Sequence, residues 1–308
     1  MSQKVTVFGS AAVDLMARAS HLPTAGETVC GSFFTQGPGG KGFNQCAAAH
    51  RAGADVAMVT KLGRDSLSHV TLGVMEELGM RRDYIRFHDT ASTGTALIMV
   101  DEQTSQNQIV VVPGACATFT DDDLAAAAQR IRDSAYLLLQ LEINQDANEK
   151  AAALAKQAGV KVIINTAPYR PMSDEFLQGV YLVTPNEVEA QEATGIEVTD
   201  LDSASRAARV FYEKGVENVL ITLGARGVFV SAHGREAILP AFRVQAVDTT
   251  GAGDAFNGGL LTALAEGQDL WQAARFAGAV AALSVQKLGA ALSMPSREEI
   301  DQFLRLHP

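Results

Sequence analysis

Short apolar runs of four to six residues recur along this chain, and stretches of helical period separate most of them. The runs fall at 5–8, 56–60, 136–141, 160–164, 181–184 and 219–222, and the helical patterns at 41–51, 66–78, 121–133, 148–158, 186–193 and 204–214. Runs this short and continuously apolar read as strands buried on both faces. Strands that alternate with helices must run parallel, because each helix carries the chain back to the same sheet edge. The pattern therefore predicts an α/β fold: one doubly wound sheet between two helical layers. The helix over 121–133 carries its own start signal, with Thr120 as cap and Asp121, Asp122 and Asp123 at the positive end of the dipole.

Two stretches break the rhythm. Residues 27–36, and 92–101 followed by 108–112, are strand-like with no helix between them, and 102–107 is a polar turn. They predict a small antiparallel sheet, taken from about 15–38 and 91–112 and inserted in a single domain of residues 1–308. Beside a site of chemistry it would act as a lid that excludes water; edge strands on the main sheet are the alternative. Near the C-terminus a strand-like run at 240–247 feeds a Gly-rich turn, and helical patterns follow at 252–266, 270–286 and 296–304.

Composition excludes several functions. A net charge of −10 repels a phosphate polyanion, so a nucleic-acid partner is not expected. A single nucleotide is still permitted, because a few backbone N–H groups hold phosphates locally. Cys30, Cys46 and Cys116 are far apart and form no CxxC, which argues against a disulfide framework or zinc site and for a reducing cytoplasm. No apolar run is long enough to span a bilayer, so no membrane partner is expected. The start of the chain lacks a sustained apolar stretch and reads as the approach to a first strand, not a signal peptide.

Four segments carry the chemistry. From Asp248 to Gly258, small residues (Gly251, Ala252, Gly253) lead into a helix whose first N–H groups can bind an anion. Asp254 either caps that helix or faces an incoming hydroxyl, orients it and accepts its proton. Gly37 to Gln45 is a Gly-rich turn into a helix carrying Lys41 and Asn44. The mixed donors and acceptors of these two suit a polyol, although the segment taken alone reads first as a turn and helix start with Lys41 solvated. Asn186 and Glu189, three apart at a helix start, form a capping box, hold water around Mg²⁺, or do both. Gly224 and Gly227 make a tight turn after the strand ending at Thr222. The glycine spacing at 251–256 does not fit the dinucleotide fingerprint, and neither GxxxxGKS/T nor the protein-kinase HRD and DFG set occurs.

Taken together and in this order, the segments resemble the PfkB carbohydrate-kinase family over nearly the whole chain. Gly39-Gly40-Lys41-Gly42-x-Asn44-Gln45 is similar to the family's first signature, and Asp248-Thr-x-Gly-Ala-Gly-Asp254 to its second. The resemblance implies a ribokinase-like three-layer sandwich with a β lid that pairs with a second subunit's lid, giving a homodimer. It implies transfer of the γ-phosphate of ATP to a terminal sugar hydroxyl, most closely that of the pentose D-ribose. Deoxyribose, another sugar or a nucleoside remain as alternative acceptors, as does a non-catalytic sugar-binding role on the same fold.

The same resemblance makes Asp254 the base and Gly251, Ala252 and Gly253 the anion hole. Asp14, Gly40, Lys41, Asn44, Glu142 and Asp254 match sugar-side positions. Asn186, Thr222, Gly224, Gly227 and Gly253 match nucleotide-side positions, and Glu189 matches the one linked to Mg²⁺. Asp248, Thr250, Ser284, Lys287, Gly289 and Ser293 match a site for K⁺ built largely from backbone carbonyls. Three positions depart from the pattern. Ala12 stands where an asparagine is expected, Phe43 where a small residue is usual, and Gly278 where a polar residue would lie near adenine.

Overall fold

The computed structural model describes residues 3–104 and 106–308. Met1 and Ser2 of the expected approach to the first strand, and Ser105 of the turn expected over 102–107, lie outside the described residues. The chain begins β1 (Lys4–Phe8), β2 (Ala12–Ala19), β3 (Gly31–Gly39), α1 (Lys41–Arg51), β4 (Asp55–Gly63), α2 (Ser68–Glu77), β5 (Ile85–His88), β6 (Gly94–Asp101) and β7 (Asn107–Val112). It continues with α3 (Asp121–Arg132), β8 (Tyr136–Leu139), α4 (Gln145–Gln157), β9 (Lys161–Ile164), α5 (Asp174–Leu177), β10 (Leu182–Val183), α6 (Glu187–Thr194) and α7 (Leu201–Glu213). The last elements are β11 (Val219–Thr222), β12 (Val228–Ala232), β13 (Arg235–Leu239), α8 (Ala252–Ala265), α9 (Leu270–Ser284) and α10 (Arg297–Leu306).

The main sheet has the order β13-β12-β11-β10-β9-β8-β1-β4-β5 and is parallel except for β12 and β13 at one edge. Its inner strands are buried on both faces, and successive residues feed different cores. In β8, Tyr136 and Leu138 join one apolar cluster with residues of α1, α8 and α9, while Leu137 and Leu139 join a second with residues of α3, α4 and α7. Strand order reverses at β1, and ligands of doubly wound sheets sit at the carboxyl ends of strands beside such a reversal.

Helix α8 packs closely between two neighbours. A Cβ on Gly258 would lie 2.5 Å from Gln45 O on α1, and one on Gly259 would lie 2.7 Å from Val280 Cγ2 on α9. Glycines in mid-helix cost helix propensity, and here Gly258 lets α1 and α8 approach until their side chains meet at the site, while Gly259 lets α9 close on the other side.

The irregular segments form a separate four-stranded sheet of order β3-β2-β6-β7, not edge strands of the main sheet. Two expectations need correction here. The small sheet is mixed: β2 pairs antiparallel with β3 but parallel with β6 over Ala12 to Ala19, because α1, β4, α2 and β5 intervene and return the chain in the same direction. It also starts at Ala12, since β2 is rich in Ala, Leu, Met and Arg and gives little strand signal of its own. The run at 240–247 is not a strand. β13 ends at Leu239, Pro240 has no N–H to offer, and Val247 is exposed. The hairpin of β12 and β13, joined by His233 and Gly234 at positive φ, was not anticipated; two such residues suit the twist of a tight hairpin.

Candidate active site

Asp254 lies in the first turn of α8, and it does not cap the helix. The N-cap is Gly251, in the left-handed region at φ 75°, and no side chain caps α8. The Asp254 carboxylate instead accepts from two amides of α1: Asn44 Nδ2 donates to Oδ2 (2.9 Å) and Gln45 Nε2 to Oδ1 (3.0 Å). Burial pushes its pKa up, while Lys41 and the two amide donors pull it down. The result is a buried carboxylate beside an uncapped helix start, where N–H groups and dipole favour an anion.

The start of α1 is capped by groups from elsewhere. Lys41 N donates to Glu142 Oε2 (2.9 Å), Phe43 N to Ser10 O (2.8 Å) and Gly42 N to Ser10 Oγ (3.3 Å). Ser10 Oγ also donates to Glu142 Oε2 (2.5 Å). Gly40, at φ 88°, and Gly42 permit this approach: a Cβ on either would come within 3 Å of backbone atoms of residues 9–12. A Cβ on Gly39 would overlap the Asp14 carboxylate, which therefore rests directly against the turn. Burial, with help from Glu142 and Asp254, raises Asp14 to about 6. Burial opposes the charge on Lys41, but Asp254, Glu142 and Glu189 outweigh it and hold the lysine pKa above its ordinary value. Asn44 Oδ1 is buried and finds no donor among the described residues.

On the other side, Asn186 and Glu189 form the capping box of α6: Asn186 N donates to Glu189 Oε2 (3.0 Å) and Asn186 Nδ2 to Oε1 (2.8 Å). Thr166 Oγ1 adds a third donor at 3.1 Å. Burial nevertheless raises the Glu189 pKa. Asn186 pairs with Thr222 in a parallel bridge, and Gly224 and Gly227, both at positive φ, bound the tight turn after β11. Among the described residues no group of three or more His, Cys, Asp or Glu is placed to hold a metal. With its carboxylate already engaged, Glu189 fits a divalent ion only through that ion's waters, as Mg²⁺ commonly binds.

Asp248 ties two loops together. Its Oδ1 accepts from Thr250 N (2.9 Å), its Oδ2 from Gly289 N (3.0 Å), and Asp248 N donates to Val285 O (3.1 Å). Burial opposes the charge on Asp248, but the hydrogen bonds from Gly289 and Thr250 lower its pKa below the usual range. Ser284 O accepts from Lys287 N, and Ser293 Oγ donates to Ala290 O, so both stay in the same loop region. The Lys287 ammonium is turned to Glu299 on α10 (2.6 Å). Phe43 is fully buried in the core, which accounts for its size, and a Cβ on Gly278 would lie 3.7 Å from the Phe242 ring.

Ser10, Gln140 and Asn165 belong to this site without being expected from the sequence, and Gly39 and Gln45, inside the expected Gly-rich segment, take roles of their own. Gln140 and Asn165 each directly follow a buried strand, which was the available signal. β8 ends at Leu139, not 141, because Gln140 turns out of the sheet toward Gln45.

A buried carboxylate at an uncapped helix start, at the carboxyl ends of parallel strands, is the arrangement of a group-transfer enzyme for a small, anion-bearing ligand. Residues 2–297 match the family described as pfkB family carbohydrate kinase, and the chain belongs to that family. It is 43% identical over 304 residues to a ribokinase of Haemophilus influenzae, covering 99% of both chains. It is 34% identical to a deoxyribokinase of Salmonella typhi, covering 98% of this chain and 99% of that one. Its structure superimposes with TM-score 0.92 on an Arabidopsis thaliana ribokinase solved with ribose and ATP, at 32% identity and 99% coverage of both chains.

Proposed function

We propose that this carbohydrate kinase transfers the γ-phosphate of ATP to the terminal hydroxyl of D-ribose. The observation that carries the reading is the Asp254 carboxylate, buried against the open start of α8 and held by two α1 amides. Likeness over full length to ribokinases, one solved with ribose and ATP, supports the substrate pair. Asp14, Lys41 and Asn44 fix the sugar hydroxyls, Gly40 lets the ring approach the backbone, and Glu142 offers Oε1 while Oε2 caps α1. Asn186, Thr222, Gly224 and Gly227 bound the nucleotide, whose γ-phosphate meets the turn of Gly251, Ala252 and Gly253, where the Ala252 N–H exchanges its bond to Thr249 O (3.2 Å) for the phosphate. Asp254 orients the hydroxyl and takes its proton as the oxygen attacks phosphorus in line and ADP departs. Backbone donors at the helix start then stabilise charge on the phosphoryl oxygens.

Asn186 and Glu189 would hold the waters of a nucleotide-bound Mg²⁺, which supplies positive field at the phosphates. Asp248, Thr250, Ser284, Lys287, Gly289 and Ser293 would surround K⁺, mainly through carbonyls. Three free cysteines suit a cytoplasmic location, and no helix among the described residues is long and apolar enough to cross a membrane.

A second acceptor, 2-deoxyribose, is favoured by Ala12, which offers no hydrogen bond where an amide is expected. Sites that bond a hydroxyl reject analogues lacking it, and Ala12 weakens that rejection. ADP release across ribose, deoxyribose, hexoses and nucleosides tests the reading. D-ribose should give the highest kcat/KM; a preference of about tenfold or more for deoxyribose, ~1.4 kcal/mol, selects the second acceptor.

Asp14, at about 6, gives a pH prediction. Its ionised form accepts sugar hydroxyls, so the sugar KM should climb as pH falls below about 6 and stay level above it. In Asp14→Asn that bend should disappear, and steady-state kinetics across pH checks both.

The small sheet presents Phe34, Leu97, Val110 and Val112 on the face away from Asp14, and Phe34 and Val110 are 64% and 57% exposed. An apolar face of this kind is normally covered, and we assign it to a homodimer through the two lids. Light scattering should give a dimer mass for the native chain and a monomer mass for Val110→Lys. A monomeric native chain contradicts the assignment.

A further inference from the structure

Behind the Asp254 carboxylate runs a closed circuit of side-chain hydrogen bonds. Gln45 Nε2 donates to Asp254 Oδ1 (3.0 Å) and to Asn165 Oδ1 (2.9 Å). Asn165 Nδ2 donates to Thr184 O (2.9 Å), and Thr184 Oγ1 to Asn257 Oδ1 (2.6 Å). Asn257 Nδ2 then donates to Gly253 O (2.8 Å), the carbonyl of the peptide that leads into Asp254. Gln140 braces the circuit from outside: its Nε2 donates to Gln45 Oε1 (2.7 Å), and its backbone carbonyl accepts from Asn148 Nδ2 (2.7 Å).

These groups are sealed from solvent. Gln45 and Gln140 are 0% exposed, Thr184 1%, Asn257 2% and Asn165 6%. Gln140, Asn165 and Thr184 are each the first residue past a parallel strand (β8, β9 and β10), so the sheet itself sets their spacing. Buried amides are costly to desolvate, and they fix one arrangement only when paired. The pairing here converges on one oxygen of Asp254 and on the peptide before it. The second torsion of an aspartate is soft and nearly two-fold, so a single donor does not hold its plane. Lys41 on α1, Glu142 after β8 and Asp14 on β2 are the charged groups around Asp254. Gln45 orients the carboxylate without adding to that charge balance.

We propose that Gln45 is a positioning residue for phosphoryl transfer. With Gln140, Asn165, Thr184 and Asn257 it locks the Asp254 carboxylate to the Gly253 peptide of the phosphate-binding turn, so that base and anion site keep one geometry. The proposal rests on Asp254 being the base. A loss of alignment of an ångström or so at a reacting group is enough to cost rate, while ground-state contacts to sugar and ATP persist.

The test is steady-state kinetics with pH profiles and thermal unfolding on Gln45→Met, Thr184→Val and Asp254→Asn. Gln45→Met should lower kcat roughly 10- to 100-fold, the value of a hydrogen bond to a charged group, with sugar and ATP KM within about threefold. Its acid limb in kcat should move to higher pH, because Asp254 loses a donor that favours the charged form. Thr184→Val keeps the side-chain shape and breaks the circuit at a distance, so kcat should fall about three- to tenfold with the limb unmoved. A Gln45→Met enzyme within about twofold of native, or one whose rate falls with stability while the acid limb stays put, overturns the proposal. Where Gln45→Met does not fold, native kinetics in Thr184→Val overturn it. Near-native rates in Asp254→Asn would remove the base assignment itself, an outcome distinct from failure of the circuit.

Discussion

Asp254→Asn should lower kcat roughly 10²- to 10⁴-fold, the range in which a positioned base contributes. The asparagine amide cannot take the hydroxyl proton. Its nitrogen would also face either Asn44 Nδ2 or Gln45 Nε2, donor against donor, where the carboxylate accepts from both. Stability should change far less. Burial raises the Asp254 pKa, so at neutral pH folding works against its charge, and a neutral side chain relieves that cost. That relief offsets the donor clash, so the melting temperature should change little while turnover collapses, a combination that a merely destabilised fold does not give. Kinetics and calorimetry on one preparation check both halves.

The largest loss of stability should come from Asp123→Ala, far from the chemistry. Lys61 Nζ and Asp123 Oδ2 are 2.6 Å apart, with side chains only 6% and 7% exposed. Arg86 Nε donates to the other oxygen, and Asp123 closes the capping box of α3 with Thr120. Removing the carboxylate leaves Lys61 buried with only Thr118 O as partner among the described residues. Breaking a buried pair from one side costs about 3–5 kcal/mol, which corresponds to a fall of roughly 10 °C in Tm. Chemical unfolding measures it, and a loss below about 1 kcal/mol would show that Lys61 finds water or another acceptor. The pH dependence has a definite sign. Burial opposes the charge, but Lys61 and Thr120 hold the Asp123 pKa down to about 2 from 3.8, so its contribution is present above 3.8 and lost as pH falls through about 2.

The parallel core was legible because its strands are buried on both faces and their helices have start signals; Thr120 and Asn186 both cap as their spacing suggests. What was hidden depends on pairing across long distances. β2 has a helix-former composition and becomes a strand because β3 and β6 flank it for its full length. The run at 240–247 has strand composition but joins neither sheet, and its Val247 N–H donates to Val285 O at the end of α9 instead. At the site, Asp254 could be read from its turn and the family signature, yet whether it capped α8 required the structure, which gives that position to Gly251. Gln140 and Asn165 lie nearly a hundred residues or more from Gln45 in sequence, and no local pattern links them. Their proximity follows from α1 packing over the ends of β8 and β9, which Gly42 and Gly258 permit by close backbone contact.

ATP-dependent phosphorylation of a pentose at its terminal hydroxyl, with Asp254 as base, is open to a chemical test of the product. Phosphorus NMR of the native enzyme incubated with ATP, Mg²⁺ and D-ribose tests it most directly. The expected spectrum shows a phosphomonoester on the C5 oxygen growing in step with ADP, and almost none with Asp254→Asn. ADP forming without a sugar phosphoester would rule out transfer to the pentose, and an Asp254→Asn enzyme that makes the ester at the native rate would rule out Asp254 as the base.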